Sequence, residues 1–273
     1  MNKPKNNKFL ICIDSDGCAI DSMTVKHDKA FGPALVEIWE VPADRQEAVL
    51  KEWNDVNLYT MTRGINRFQG LVTILSRHPE YVEQEQLDKL ITWVETTNAL
   101  SPESLKKECD QSGLEIMKKE LAWSDRVNEI ISHLPLAKPF DGVKETMALM
   151  KSKADIAVVS SANKAAVEEE WKTSGLYDLV DYFFTQDNGT KSECIKKLLL
   201  SGYDPEKTIM VGDALGDYNT AENNQVWYYP ILASKEIASW SEFHYRYLSV
   251  FLSGDFNKEV QNSLLSEMNE NLL

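Results

Sequence analysis

The chain has 273 residues, of which 43% are hydrophobic, and a formal net charge of −14. This length is enough for one large domain or for a core with a second module. The acidic balance argues against partners such as nucleic acids and anionic membranes, which bind clustered Lys and Arg, but a few focused cations would still suffice for a small anionic ligand.

The N-terminal stretch Met1 to Lys8 is polar and basic, and only five apolar residues follow before Asp14. That run is too short for a secretory signal, and no stretch approaches the roughly 18 apolar residues of a membrane span. The four cysteines lack Cys-x-x-Cys spacing and the four histidines are scattered, which predicts neither a zinc site nor a disulfide framework. We therefore expect a soluble protein of a reducing compartment, the cytoplasm.

The apolar run Phe9–Ile13 is typical of a fully buried parallel strand, and it ends in Asp14-Ser15-Asp16-Gly17. Because strand side chains alternate, Asp14 and Asp16 are predicted to point to the same side, at the carboxyl end where open α/β sheets bind ligands. Two neighbouring carboxylates repel each other unless a cation lies between them or they share a proton. Taken alone, the stretch fits an Asp-rich turn that caps a helix equally well.

Residues 22–137 show helical periodicity and no strand pattern. Phe68, Leu71, Val72 and Leu75, for example, follow the i, i+3, i+4, i+7 spacing of one helix face. Ser101-Pro102 is a typical helix start. The tryptophans at 39, 53, 93 and 123 are predicted to fill the core of this helical insert.

Beyond residue 138 the pattern alternates between strand and helix. Strands are predicted at 155–159, 182–185, 208–211 and 226–229, and helices at 143–152, 163–174, 191–201 and 217–223. This alternation predicts an α/β fold, a parallel doubly wound sheet with Phe9–Ile13 near its centre. The predicted domains are a core of 1–21 plus 138–240, a helical domain of 22–137, and a helical C-terminal extension of 241–273 with a break at Gly254.

Polar residues also follow the later strands, at the predicted carboxyl edge of the sheet. They are Ser160, Lys191, Asp213 and Asp217. Thr190 and Glu193 form a capping box that places Lys191 in a first helical turn, where its charge is unfavourable for the helix dipole. Singly, Ser160 could be an N-cap, Lys191 a surface lysine and Asp217 a capping residue. Their combination favours a catalytic site.

These motifs, in order, resemble those of the haloacid dehalogenase-like (HAD) hydrolase superfamily. The resemblance rests on an apolar strand with Asp14-x-Asp16-Gly17, a second strand with Ser160, then Lys191, and then Gly212-Asp213-x-x-x-Asp217. Asp21-Ser22, His27 and Phe140–Val143 fit the continuation and the return from an inserted cap. The similarity covers roughly residues 8–22 and 138–232. It implies a Rossmann-like core with an all-helical C1 cap, as in phosphoglycolate phosphatases and β-phosphoglucomutases.

The resemblance also implies a Mg²⁺-dependent phosphatase that acts through an aspartyl-phosphate. In that scheme Asp14 is the nucleophile and Asp16 the general acid and base. Mg²⁺ would be held by Asp14, the Asp16 backbone carbonyl and Asp213, with Asp217 orienting these groups. Ser160 would hold phosphate oxygens and Lys191 would offset the negative charge of the carboxylates and the phosphate, whereas Ser161, Asn163 and Lys164 fit phosphate contacts or a capping or surface role equally well.

The stretch Thr62–Gly70 is similar to the specificity loop of β-phosphoglucomutase-like members. Arg67, and less surely Arg63, would contact an anionic part of a small phosphorylated metabolite, although both could be helix-end surface arginines. A phosphomutase would share every core residue and stays open as an alternative. A dehalogenase is disfavoured because Asp16 is present. A non-catalytic binding protein would be expected to lose Asp14, Asp16, Lys191 or Asp213, and all four are intact. The oligomeric state stays open.

Overall fold

The structure, a computed structural model, describes residues 5–272. The start of the polar N-terminal stretch, residues 1–4, and Leu273 at the end of the predicted C-terminal extension lie outside the described residues. The chain divides into two compact units. The sheet unit contains the described residues up to Met23 and from Leu136 onward, and the helical unit is Thr24–Pro135.

The sheet unit is built on five parallel strands, as the alternating sequence pattern predicted. They are β1 (Phe9–Ile13), β2 (Ala154–Val159), β3 (Tyr182–Phe184), β4 (Thr208–Gly212) and β5 (Trp227–Pro230). Their order is β3-β2-β1-β4-β5, so β1 lies at the centre, with Ile11 paired to Ile156 on one side and Ile209 on the other. The fold class is therefore confirmed.

The helical unit contains only helices and loops among its described residues, as predicted. Its helices are α1 (Met23–Lys26, which begins at the unit boundary), α2 (Gly32–Ile38), α3 (Ala43–Asn54), α4 (Arg67–Arg77), α5 (Gln84–Thr96), α6 (Pro102–Ser112) and α7 (Glu115–Ser132). Two π-helical segments, His27–Phe31 and Asp55–Tyr59, extend α1 and α3. As predicted, α6 begins with Ser101 as N-cap and Pro102 at its first position.

The core of the helical unit is aromatic. All four of its tryptophans are buried, as expected, and Trp53 and Trp123 pack edge to face at 5.7 Å. Phe31 lies 6.1 Å from both of these rings, and the Trp123 indole donates to the Phe31 carbonyl. Large rings on several helices thus fill the space that short helices leave between them.

Helices cover both faces of the sheet. The helices that lie between successive strands along the chain, outside the insert, are α8 (Val143–Lys151), α9 (Lys164–Thr173), α10 (Lys191–Leu200) and α11 (Leu215–Asn223). Ile11 and Ile13 share one apolar cluster with α8 and α9, while the intervening Cys12, equally buried, points to the other face. Burial on both faces is what continuous apolar strands require.

Three further helices follow β5, and they belong to the same sheet unit. They are α12 (Glu236–Glu242), α13 (Leu248–Ser253) and α14 (Lys258–Asn271), with a π-helical segment at Phe243–Tyr247. Gly254, at φ 85°, ends α13 at the predicted break, where a left-handed residue favours glycine. Among residues 5–272, no helix is long and apolar enough to cross a membrane.

The two connections to the helical unit pair with each other inside the sheet unit. The Asp21 amide donates to the Lys138 carbonyl at 2.8 Å, and the Phe140 amide donates to the Ala19 carbonyl at 3.1 Å. Gly142, at φ 90°, then turns the chain into α8. The insert thus leaves and re-enters at one place, directly after the loop that carries Asp14 and Asp16.

Candidate active site

The first strand delivers Asp14 to the carboxyl edge of the sheet. The Asp14 amide donates to the Val211 carbonyl at 3.0 Å, which extends the β1–β4 pairing by one residue, and its side chain is buried. After it, the Ser15 carbonyl accepts from the amides of Cys18, Ala19 and Ile20, and Gly17 takes φ 75°. This tight loop needs glycine at its turn because a side chain would be strained there.

The fourth strand delivers Asp213 and, one helical turn later, Asp217. Asp213 directly follows β4 and is buried, as is Asp217 in the first turn of α11. Asp217 Oδ2 accepts from the Ala214 amide at 3.2 Å, so α11 begins earlier than the predicted residue 217. A Cβ at Gly212 would lie 2.5 Å from Asp217 Oδ2, so only glycine lets the two segments approach this closely.

Lys191 forms ion pairs with both Asp14 and Asp217. Thr190 caps α10 through the predicted capping box with Glu193, which confirms that Lys191 lies in the first helical turn. Its Nζ lies 2.8 Å from Asp14 Oδ1 and 2.6 Å from Asp217 Oδ1. Three residues that are far apart in the sequence therefore form one buried charge cluster.

The cluster brings three carboxylates close to the Lys191 ammonium. Carboxylate oxygens of Asp14, Asp213 and Asp217 all lie within 4.8 Å of one another, and Lys191 contacts Asp14 and Asp217. Burial raises the pKa of Asp14 well above its usual value, an effect that Lys191 partly offsets and the other two aspartates reinforce. Burial lowers the pKa of Lys191, but attraction to Asp14 and Asp217 outweighs this effect and keeps the amine charged.

Such a donor set fits a hard divalent cation. Carboxylate oxygens at this spacing are the ligands that Mg²⁺ takes in proteins, and an added positive charge would offset the remaining repulsion. The Asp16 side chain is not part of the three-carboxylate group.

Asp16 has a different environment. Its side chain is partly exposed, and Oδ1 accepts a hydrogen bond from the hydroxyl of buried Ser22. Ser22 lies just before the chain leaves the sheet unit, so the carboxylate orientation is coupled to the start of that connection. The sequence places Ser22 in a motif but gives no sign of this contact, since five residues of loop separate the two.

The residues after β2 divide between the strand end and the start of α9. Ser160 is buried, and its Oγ accepts from the Ala162 amide at 3.1 Å. Ser161 is exposed. Asn163 is the N-cap of α9, and its Oδ1 accepts from the amides of Ala165 and Ala166. The structure thus shows the capping arrangement at Asn163 and leaves the Ser161 side chain open to solvent.

Arg63 is built into the helical unit. The carbonyls of the π-helical segment accept hydrogen bonds from the loop that follows: Asp55 from Thr60 Oγ1, Val56 from Thr62 Oγ1, Asn57 from the Gly64 amide and Leu58 from Arg63 Nη1. Only 3% of Arg63 is exposed. Its guanidinium therefore satisfies the end of a helix, where carbonyls lack intrahelical partners.

Arg67 begins α4 and has a different setting. Asn66 caps the helix through a capping box with Gln69, which fixes the backbone next to Arg67. Its guanidinium lies 4.9 Å above the Phe31 ring and donates to Asn128 Oδ1 at 2.9 Å. It has no ion pair among the described residues, and burial lowers its pKa to about 10. A partly buried cation without a carboxylate partner among the described residues is suited to meet an anion.

A family model matches more than half of the chain. The family model described as haloacid dehalogenase-like hydrolase matches residues 65–229, a span that contains Ser160, Lys191, Asp213 and Asp217 and begins after Asp14. No curated protein matches the chain.

Several solved structures share the fold. A haloacid dehalogenase-like family hydrolase from Xanthomonas campestris is 13% identical with a TM-score of 0.53, covering 92% of this chain and 97% of its own. A protein from Lactobacillus delbrueckii subsp. bulgaricus, assigned as a phosphoglycolate phosphatase, is 18% identical with a TM-score of 0.51, covering 82% and 85%. A family member from Streptococcus pneumoniae is 12% identical with a TM-score of 0.50, covering 85% and 90%. At these identities the likeness concerns the fold.

Proposed function

Because the chain belongs to the haloacid dehalogenase-like hydrolase family, we propose that it is a Mg²⁺-dependent phosphatase that hydrolyses a small phosphorylated metabolite. The observation that carries this proposal is the buried group of Asp14, Lys191, Asp213 and Asp217. It combines a carboxylate at a strand end, a fixed ammonium and a set of oxygen ligands. These are the groups that phosphoryl transfer through a carboxylate nucleophile requires.

In the first step an oxygen of Asp14 attacks phosphorus while the ester oxygen leaves. Asp16 gives that oxygen its proton, and an aspartyl-phosphate forms on Asp14. In the second step Asp16, now ionised, takes a proton from water as the water oxygen attacks phosphorus. The bond to Asp14 breaks, inorganic phosphate leaves, and both carboxyl groups return to their starting forms.

The other residues bind and neutralise. Lys191 stays protonated beside Asp14 and offsets negative charge on the transferring phosphoryl group. The residues that would hold Mg²⁺ are Asp14, Asp213, Asp217 and the Asp16 carbonyl, and the ion would supply charge neutralisation at the phosphoryl oxygens. We assign Ser160 and Ser161 to phosphate oxygens beside the N-terminus of α9, where Asn163 caps the Ala165 and Ala166 amides.

For the substrate, we assign anion recognition to Arg67 rather than Arg63. Arg67 is a partly buried cation without a carboxylate partner, whereas Arg63 already caps the π-helical segment of its own unit. A substrate with a second anionic group besides the transferred phosphate would provide a negative charge to pair with the Arg67 guanidinium. Arg63 then acts through the loop Thr60–Asn66, which it holds in place.

The test is phosphate release from a panel of phosphomonoesters, with and without Mg²⁺, by the wild type and Asp14→Asn. We expect hydrolysis that EDTA abolishes and that Asp14→Asn lowers by about 10⁴-fold or more. The matched control is Asp155→Asn. It changes another buried aspartate of the sheet unit, which follows the first residue of β2 and accepts from Tyr203 and Asn7. Its turnover should stay near that of the wild type.

Two outcomes would count against hydrolysis. Phosphorylation of Asp14 without release of phosphate would instead favour the phosphomutase, which transfers the group to a second substrate. Neither release nor phosphorylation with any ester, in protein that binds Mg²⁺, would overturn both readings and leave a ligand-binding role.

A further inference from the structure

Two buried indoles hold the loop that carries the two aspartates. Trp171 of α9 donates from Nε1 to Ser15 Oγ at 2.9 Å, and Trp240 of α12 donates from Nε1 to the Cys18 carbonyl at 2.8 Å. Both side chains are fully buried. The two contacts bracket Asp16, one on each side, although the indoles come from helices far apart in the sequence.

Each indole is oriented by packing that does not involve the loop. Trp171 meets Phe183 of β3 edge to face, at 5.9 Å and 88°. Trp240 meets Phe243 at 6.1 Å and 89°, and Phe243 in turn packs on Tyr229 of β5 at 4.6 Å. Because neighbouring rings pack on each indole, the direction of its N–H group does not depend on the loop contact alone.

Trp240 lies in the part of the chain that the family resemblance leaves unexplained. The family model ends at residue 229, and α12 begins at Glu236. The helices after β5 therefore do more than cover the sheet, because one of them reaches the first catalytic motif. The last strand makes a similar contact: the Tyr228 hydroxyl of β5 donates to the Gly212 carbonyl at 3.0 Å, next to Asp213.

We propose that Trp171 and Trp240 are positioning residues for turnover, and that α12 is an integral part of the active site. Their N–H groups fix Ser15 and Cys18 so that Asp14 stays beside Lys191 while Asp16 keeps its place on the same loop. The kinetic part of this proposal rests on the proposed phosphatase function. The part that concerns loop order does not.

The test uses Trp240→Phe and Trp171→Phe, which keep an aromatic ring and remove the donor. The control is Trp227→Phe, which removes an indole donor to the Glu206 carbonyl. Trp227 is the first residue of the edge strand β5, at the amino end of the sheet. Hydrogen exchange should be about 10-fold faster at the amides of residues 14–20 in both test variants and unchanged there in the control. We expect kcat per folded molecule, with the folded fraction taken from urea unfolding, to fall about 10-fold with KM within twofold.

Unchanged exchange at residues 14–20 in both test variants would overturn the proposal. Faster exchange with unchanged kcat would overturn the positioning role and leave a structural one. If the wild type shows no turnover, the proposed function fails, and exchange still decides whether the indoles order the loop. Should Trp240→Phe not fold, benzothienylalanine at position 240 keeps the bicyclic ring and removes only the N–H group, and the same outcomes apply.

Discussion

The charge cluster of the sheet unit differs from two buried or partly buried charged groups of the helical unit, Arg67 and Glu120, in whether the charges are paired. In the sheet unit, Lys191 lies within 2.8 Å of carboxylate oxygens from both Asp14 and Asp217. In the helical unit, Arg67 has no ion pair, and fully buried Glu120 on α7 has no hydrogen-bond partner for either carboxyl oxygen among the described residues. The charge cluster of the sheet unit pairs its lysine with two carboxylates, whereas Arg67 and Glu120 of the helical unit have no ion pair among the described residues.

The difference separates chemistry from selection. A paired cluster of fixed charges is a preorganised site, which suits a reaction that is the same for every substrate. A single buried charge is costly until something neutralises it, either a proton or a ligand of opposite sign. We therefore expect the sheet unit to determine the reaction and the helical unit to respond to ligand charge and pH.

The largest effect should come from removing the paired cation. Lys191→Met leaves Asp14 and Asp217 without their ammonium, so we expect kcat to fall about 10³-fold and the free energy of unfolding without Mg²⁺ to fall by about 3 kcal/mol. Steady-state turnover and urea unfolding with and without Mg²⁺ would measure these effects. Lys172→Met, an exposed lysine of α9 paired with Glu168, is the control. Turnover within tenfold of the wild type would contradict the assigned role.

The next effect concerns Glu120. Burial raises its pKa from an ordinary 4.5 to about 9. Between these values the folded chain binds a proton that the unfolded chain has lost, so stability falls as pH rises through that window. Glu120→Gln removes this dependence and should raise the free energy of unfolding by about 3 kcal/mol at pH 7.

Urea unfolding at pH 5, 7 and 9 measures this prediction. The gap between the variant and the wild type should widen with pH, whereas Glu115→Gln, an exposed glutamate at the start of the same helix, should show no such trend. A constant gap across the three pH values would mean that Glu120 has found a partner in solution.

A smaller effect is expected at Arg67, the partly buried arginine of the helical unit that has no ion pair among the described residues. Arg67→Ala should lower kcat/KM about 30-fold for the preferred substrate and less than twofold for p-nitrophenyl phosphate, which has no second anionic group. Arg126→Ala removes an exposed arginine on α7 that pairs with Glu37 and Glu129, and it serves as the control. Equal losses on both substrates would show that Arg67 supports structure instead of recognising an anion.

The smallest effect lies at the boundary between the units. Ser22→Ala removes the hydroxyl that Asp16 accepts from, so we expect kcat to fall about fivefold and its pH profile to shift. Ser22→Thr keeps the hydroxyl and should restore both. Ser249→Ala, an exposed serine of α13, controls for loss of a helix serine. A pH profile identical to that of the wild type would show that the Ser22 hydroxyl does not affect the protonation of Asp16.

Much of the fold and part of the site could be predicted from local patterns. The strand Phe9–Ile13, the capping box at Thr190 and the buried tryptophans of the helical unit all follow from residue types at fixed spacing, and all are confirmed. The start of α11 was placed late, because the early turn depends on Asp217 capping Ala214 from within the helix. Local spacing does not reveal such a contact before the helix is formed.

The sequence by itself determined the α/β class, the order of the family motifs and the segment that carries each one, because these depend on periodicity and on capping over a few residues. Only the tertiary structure decided that Lys191 bridges Asp14 and Asp217, and that Trp240 reaches Cys18. It also decided that Arg63 is used within its own unit, while Arg67 has no ion pair with any residue from 5 to 272. Those contacts join residues whose separation along the chain is set by the folding of everything between them, and hydrogen bonds and ion pairs depend on distances of a few ångströms that no local pattern encodes.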